Sequence, residues 1–262
     1  MEWRIHVKEV TASTNEDALG GAHGDVFAAR LQTAGRGRGA HTWEGSSGKS
    51  LAMSAVLRVS CVPPAYAATL PLVAGLAVLE ALRKAAGRSL PEAGVKWPND
   101  VLVAGKKIAG ILCRRDGDNV IVGIGVNVKK QDFSGDVAQR AVSLEEAGVD
   151  VSVDGFRDIV LGCLRELYGE WIERGSSLDG GEGSSKMPES IFLKLRAADL
   201  LKNRRVRLMR LDGDPQPLEG DCGGIAPDGS LLVAGERVWA GEAVACDNFR
   251  PVSFSFGFPA EF

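Results

Sequence analysis

Apolar and polar residues alternate from Trp3 to Val10, which predicts a half-buried strand. Val26 to Leu31 reads as a short apolar strand, and Leu51 to Val59 (LAMSAVLRV) as another. After Pro63 and Pro64 the alternation gives way to an almost wholly apolar run, Ala65 to Leu82. It predicts a core helix whose regular part starts near Pro71, since proline suits a first helical turn. Lys84, Gly87 and Arg88 supply its end. Pro71 and Glu80 inside the run, with no other candidate span, argue against a membrane helix. Val101–Val103 and Ile108–Arg114 flank Ala104-Gly105-Lys106-Lys107 as a hairpin. Trp97-Pro98-Asn99-Asp100 precedes it as a turn. A polar turn, Arg115 to Asn119, leads into a buried strand, Val120 to Val128, Gly-rich where a backbone or ligand approaches.

Ser143 to Asp150 predicts a short helix and turn. From Asp154 to Arg174 the period becomes helical, with Phe156, Ile159, Val160, Cys163, Leu164, Leu167, Tyr168 and Trp171 on one core-facing stripe. Residues 175–186 (GSSLDGGEGSSK) have linker composition. The texture then shifts to one helix, Ile191 to Leu201, followed by five short strands: Arg205–Leu211, Leu218–Ile225, Leu231–Ala234, Arg237–Trp239 and Ala243–Ala245. Turns at 212–214, 227–229 and 235–236 separate them, giving a small barrel-like β unit. The expected organisation is α+β: residues 1–186 as one domain, 187–249 as the β unit, and 250–262 as a tail that docks or stays disordered.

Composition changes this little. Among 262 residues, 45% hydrophobic and 25% charged is ordinary for a globular chain with a sizeable core. A net charge of -3 argues against a protein built to coat nucleic acid. Cys61, Cys113, Cys163, Cys222 and Cys246 are scattered, odd in number and never spaced C-x-x-C, so they read as free thiols of a reducing compartment. The N-terminus MEWRIHVKEV carries no signal-peptide core, and the cytoplasm is expected.

The candidate chemistry centres on Gln32 to Trp43, QTAGRGRGAHTW. Gly35, Gly37 and Gly39 permit strained backbone and close approach to a ligand. Exposed N–H groups in such a loop form an anion-binding concavity. Arg36 and Arg38 add guanidinium forks suited to carboxylate and phosphate. Ser13, Thr14 and Asn15 sit at a predicted helix start, where they either cap it or bind a polar ligand head group. Lys106 and Lys107 are hairpin-tip residues, solvated or directed at an anion. The run Gly45 to Ser50 ends in G-K-S, but a P-loop needs glycine at Trp43 and a following helix, so it is a polar turn.

S-T-N, Q-T-A-G-R-G-R, K-W-P-N-D, G-K-K-I-A-G-I-L and G-I-G-V-N-V, in this order, resemble the biotin protein ligases, also called holocarboxylase synthetases. The resemblance runs from Trp3 to about Phe249. It implies a mixed-sheet catalytic domain of the class II aminoacyl-tRNA synthetase type with flanking helices, and a C-terminal SH3-like barrel. It implies attack of the biotin carboxylate on the α-phosphate of ATP, with Mg²⁺, to give biotinyl-5′-AMP. A lysine of a biotin carboxyl carrier protein, such as that of acetyl-CoA carboxylase, then takes the biotinyl group. By similarity Ser13, Thr14, Asn15 and Gln32 hold biotin, Gly110 and Ile111 form pocket wall, and Arg36, Gly37 and Arg38 fold over biotin and adenylate. Lys107 and Arg38 are the catalytic cations, with Lys107 between the biotin carboxyl and the α-phosphate. Arg38, Trp43, Lys96, Asn99 and Asn127 face the nucleotide, and no protein side chain is assigned to the metal.

His41 and Arg114 depart from the family pattern, where another basic and an acidic residue are common. Only about a dozen residues precede Ser13, whereas a winged helix-turn-helix needs roughly sixty, so no operator binding is expected. A monomer and a homodimer are both open, the latter through an exposed strand edge such as Val120–Val128. A lipoate ligase or octanoyl transferase shares the fold and the adenylate chemistry, but G-R-G-R with K-W-P-N-D favours biotin. A non-catalytic biotin-binding protein is the second alternative. Single-stranded RNA binding is disfavoured, because Ala34 to Ala40 lacks stacking aromatics.

Overall fold

The computed structural model describes all residues except 40, 89, 91–92, 134, 136, 179–185, 211–215 and 247–262. The turn expected at 212–214, most of the linker and the tail from 250 lie outside the described residues.

Seven strands form one mixed sheet: β1 (Arg4–Thr11), β2 (Asp25–Gln32), β3 (Ser50–Arg58), β4 (Gly94–Lys96), β5 (Asp100–Val103), β6 (Lys106–Asp116) and β7 (Asn119–Asn127). Their order is β1-β2-β3-β7-β6-β5-β4, with β1 and β2 parallel and every other pair antiparallel. The predicted turn at Arg115–Asn119 is tighter than expected, since Arg115 and Asp116 belong to β6 and Asn119 to β7. The β5–β6 hairpin turns on Ala104 (φ 49°) and Gly105 (φ 76°), the pair of positive values a two-residue hairpin needs.

Helix α1 (Thr14–Asp17) links β1 to β2, and α2 (Pro64–Ala67) leads into α3 (Leu70–Ala86). Pro71 occupies the first turn of α3, and Gly87 ends it in the left-handed conformation (φ 58°). Helix α3 is sandwiched between the sheet and α5 (Val153–Ser176). Leu70, Leu76, Leu79 and Leu82 are fully buried there, each contributing on the order of 2 kcal/mol. By length and composition Pro64–Ala86 resembles a membrane span, but 72% of its apolar window is buried inside the fold, so it is a core helix. Ser152 caps α5 by accepting the Gly155 N–H at 3.0 Å. On the stripe of α5, Trp171 donates to Thr69 Oγ1 (2.9 Å) and stacks on Tyr66 (centroids 4.7 Å).

Three expectations change. Strand β1 is exposed along most of its length, not half-buried, because it is an edge strand and the helices cover the sheet further in. Residues 143–150 form a turn without a helix: Ser143 and Glu146 make a reciprocal capping box, but Gly148 (φ 77°) stops the chain within one turn. The Val120–Val128 strand is no exposed edge, since β7 is paired on both sides by β3 and β6.

Helix α4 (Val137–Arg140) packs beside β6. Helix α6 (Glu189–Ala198) then leads to a five-stranded antiparallel sheet: β8 (Arg205–Arg210), β9 (Leu218–Ile225), β10 (Leu231–Val233), β11 (Glu236–Val238) and β12 (Gly241–Ala245), in the order β11-β10-β9-β8-β12. It is fastened to the large sheet. The Trp97 indole donates to Gly229 O (3.0 Å), and the Leu200 N–H donates to Val95 O (3.0 Å). The Asp199 carboxylate accepts the Leu201 and Ile225 N–H groups at 2.9 and 2.8 Å.

Candidate active site

The parallel register of β1 and β2 sets Thr11 opposite Gln32, which brings Gln32 beside the start of α1. Gln32 Oε1 accepts the Thr14 backbone N–H (2.8 Å) and the Thr14 hydroxyl (3.1 Å). The Ser54 hydroxyl donates to Thr14 Oγ1 at 2.8 Å. Ser13 precedes α1 but its side chain makes no capping bond; like Thr14 it is buried, and it lines the cavity.

The cavity is lined by Ser13, Thr14, Asn15, Gln32, Arg36, Trp43, Met53, Gly110, Leu112, Gly123, Ile124 and Gly125. Its floor is made of glycines. Gly110 on β6 is registered opposite Gly125 on β7, and Leu112 opposite Gly123. The Trp43 indole lies on the Gly110–Gly125 pair: a Cβ at Gly125 would fall 2.4 Å from the ring. A Cβ at Gly123 would meet the Asn15 amide nitrogen at the same distance. Only glycine admits either side chain. With Trp43 seated, about 40 Å³ remains free, room for only a few water molecules.

Two buried polar atoms of residues that line this space, Asn15 Oδ1 and Trp43 Nε1, have no hydrogen-bond partner. Each such group costs about 1–3 kcal/mol, so the site retains unused capacity to accept and to donate.

The Gly-Arg loop is closed in part by its own backbone. It folds on itself through an antiparallel bridge, Arg36 to Thr42. The Trp43 N–H donates to Gly35 O, Gly37 N–H to His41 O, and His41 N–H to Arg38 O. Gly35 is glycine because a Cβ would meet Trp43 O at 2.5 Å, and only Gly39 (φ 59°) needs the left-handed region.

The three cations divide. Arg36 lines the cavity and stands 3.4 Å from Glu16. Lys107 lies at the rim: its ammonium is 5.8 Å from the Trp43 ring centroid, would be 3.1 Å from a Cβ at Gly110, and pairs with Asp100 at 2.7 Å. Arg38 points elsewhere, donating to Gly241 O at the start of β12 (3.0 Å). His41 approaches Glu242 of β12 at 3.9 Å, so the loop leans on the C-terminal sheet.

Of the other predicted site residues, Ile111 is displaced. Alternation along β6 turns its side chain onto α3, where its Cδ1 would be 3.7 Å from a Cβ at Gly75, and Leu112 takes the wall position instead. Asn99 donates to Ile111 O (2.8 Å). Asn127 is buried, donating to Val142 O (3.3 Å) and accepting from Gln131 (3.2 Å). Lys96 is half-buried on the edge strand β4, opposite Asp100. Gly37 serves the loop's own pairing. None of Gly37, Lys96, Asn99, Asn127, Ile111 and Arg38 lines the cavity.

Met53, Leu112, Gly123, Ile124 and Gly125 line it without having been singled out. A two-residue step from Gly110 gives Leu112, and the glycine pair of G-I-G-V-N-V was a visible signal of close approach. The cavity holds no cysteine, histidine or acidic side chain. Cys113, next to Leu112, has its thiol pushed up to about 12 by burial, which leaves it no thiolate. Among the described residues no group of three or more His, Cys, Asp and Glu side chains could hold a metal. The arrangement sets polar side chains around a cavity, with the Arg36 cation in its lining and the Lys107 cation at its rim.

Residues 7–130 match the model of the biotin/lipoate A/B protein ligase family. The chain is 39% identical over 178 residues to the biotin–[acetyl-CoA-carboxylase] ligase of Mycobacterium tuberculosis, covering 65% of each chain. It is 33% identical over 254 residues to the bifunctional ligase/repressor BirA of Escherichia coli, covering 92% of this chain and 73% of the relative. Against the Bacillus subtilis ligase/repressor it spans about half of the relative's length (48%) at 35% identity. Among solved structures, the Aquifex aeolicus biotin protein ligase in complex with biotin and ATP superposes with a TM-score of 0.76 at 26% identity, over 92% of this chain and 97% of that one. With a pocket of this composition and relatives of this extent, the chain belongs to the biotin protein ligases of the biotin/lipoate A/B protein ligase family.

Proposed function

We propose that the protein activates biotin with ATP to biotinyl-5′-AMP and transfers the biotinyl group to a lysine of a biotin carboxyl carrier protein. The observation that carries this reading is the cavity in which Ser13, Thr14, Asn15, Gln32 and Arg36 converge over a glycine floor, with Lys107 at the rim. The unpartnered Asn15 oxygen and the Gln32 amide suit a flat head group that both donates and accepts hydrogen bonds. Burial there strengthens each such bond.

Both steps move negative charge among carboxylate, phosphoryl and acyl oxygens. They are accelerated by pre-placed donors, without a protein nucleophile. Arg36 and Lys107 are those donors, and Arg38 holds the loop beside them through Gly241 O. Asn127, Asn99 and Lys96 form a second tier that shapes the nucleotide side through the K-W-P-N-D turn and the end of β7. Magnesium would come with the nucleotide and supply charge neutralisation on its phosphates, with no protein side chain assigned to hold it. In this reading residues 1–186 are the catalytic domain and 187–249 an SH3-like barrel. The reaction is cytoplasmic.

Incubation with biotin, MgATP and a biotin carboxyl carrier domain, followed by mass spectrometry of its lysine, tests the reading. Biotinylation of one lysine is expected. Adenylation and transfer of lipoate in preference to biotin would replace it, and biotin binding without pyrophosphate release would reduce the protein to a binder.

A further inference from the structure

Glu16 follows Thr14 and Asn15 directly, and its carboxylate lies between two guanidinium groups. Glu16 Oε1 accepts from Arg114 at 3.0 Å, and the same oxygen stands 3.4 Å from Arg36. Arg114 lies on β6, two residues beyond Leu112 of the cavity wall. Arg36 belongs to the loop and lines the cavity. A carboxylate oxygen shared by two cations holds each less firmly than it would hold one, and the shorter, hydrogen-bonded contact is to Arg114.

We propose that Glu16 and Arg114 form a regulating pair that sets how readily Arg36 is released to a ligand anion. Glu16 is the resting partner of Arg36. Arg114 competes for that carboxylate and keeps the Arg36 contact weak, so that a carboxylate or phosphate entering the cavity takes Arg36 over. Glu16 and Arg114 are positioning residues; neither lines the cavity. The proposal rests on the reading of the cavity as a biotin and biotinyl-AMP site, and adds to it what governs the Arg36 side of that site.

The geometry makes opposite demands of the two residues. Removing Arg114 leaves Glu16 wholly to Arg36 and weakens ligand binding. Removing the charge of Glu16 frees Arg36 and tightens binding. Once Glu16 is neutral, Arg114 has nothing to modulate. Biotin affinity by titration calorimetry and the release rate of preformed biotinyl-AMP are measured at low salt for wild type, Arg114→Ala, Glu16→Gln and the double variant. The pair is solvent-exposed, so changes of roughly 1.5- to 5-fold are expected.

Arg114→Ala is expected to weaken binding and speed release, Glu16→Gln to do the reverse, and the double variant to match Glu16→Gln. An Arg114→Ala effect of equal size with and without Glu16 would overturn the proposal, as would weaker binding in Glu16→Gln. Merely structural roles would weaken binding in both single variants. A wild-type protein that binds no biotin overturns the proposal and the proposed function together. Wild-type binding with additive variants removes the proposal alone.

Discussion

Gly110 and Gly125 face one another across β6 and β7, and the indole of Trp43 lies on the bare backbone between them. Two side chains are missing at one register position so that a third residue can rest there. Replacing Gly125 tests this. In Gly125→Val the new Cβ would sit 2.4 Å from the Trp43 ring, which must leave. The added methyl groups project into the cavity and not the core, so folding is little affected. Biotinyl-AMP formation, followed by biotin-dependent pyrophosphate release, is expected to fall at least tenfold. The Tm should move by only about 2–4 °C, the shift that about 1 kcal/mol produces in a chain of this size. A variant as active as wild type would show that the floor is not used.

Lys107 presents a different case, because its ammonium is already paired with Asp100 at 2.7 Å. A cation held at a rim by a carboxylate is pre-oriented, and its charge matters most as charge develops on the reacting oxygens. Lys107→Ala is expected to slow adenylate formation on the order of a hundredfold, while biotin affinity changes about threefold or less. Single-turnover kinetics beside equilibrium binding separate the two quantities. Equal losses in both would make Lys107 a binding residue.

Much of this was legible in the chain. The Ala104-Gly105 hairpin, the stop at Gly87, the stripe of α5 and the strands of the C-terminal sheet follow from local rules of period, capping and turn chemistry. The cavity was legible where the quoted motifs fell on its lining, as for Ser13, Asn15, Gln32 and Gly110. Ile111 was misplaced because one step along a strand reverses the face, and the motif does not carry the phase. The exposure of β1 and the interior position of β7 depend on strand order, which no local pattern encodes. The self-pairing of the Gly-Arg loop was hidden for a similar reason: glycines that admit a ligand and glycines that admit Trp43 O or His41 look alike in sequence.

Arg38 reaches Gly241 O on the C-terminal sheet, which makes the smaller sheet a support for the loop over the cavity. Arg38→Gly removes both the guanidinium and the tether and adds backbone freedom. The loop then spends more time open, and an intermediate held beneath it escapes. Biotinyl-AMP release, followed by rapid filtration of preformed enzyme-bound intermediate, is expected to accelerate at least tenfold. An unchanged release rate would mean that closure does not depend on this contact.

Asp199 offers a test of how the two sheets are joined. Burial of its carboxyl raises its pKa, against the opposing pull of N–H groups from Leu201, Ile225 and Lys202. The folded protein therefore holds the Asp199 proton more tightly than the unfolded chain does. For a raised carboxyl, the folded state binds more protons between the ordinary aspartate range and the raised value, so this group's contribution to stability falls as pH rises through that window. Asp199→Asn removes the ionisation, though it also exchanges one accepting oxygen for an amide and lowers stability by a pH-independent amount. The difference in Tm, variant minus wild type, is expected to shift in the variant's favour from about pH 4, where a free aspartate begins to ionise, towards neutrality. A difference that moves the other way would mean that the N–H groups around Asp199 outweigh its burial and that the joint between the sheets is held by an ionised carboxylate.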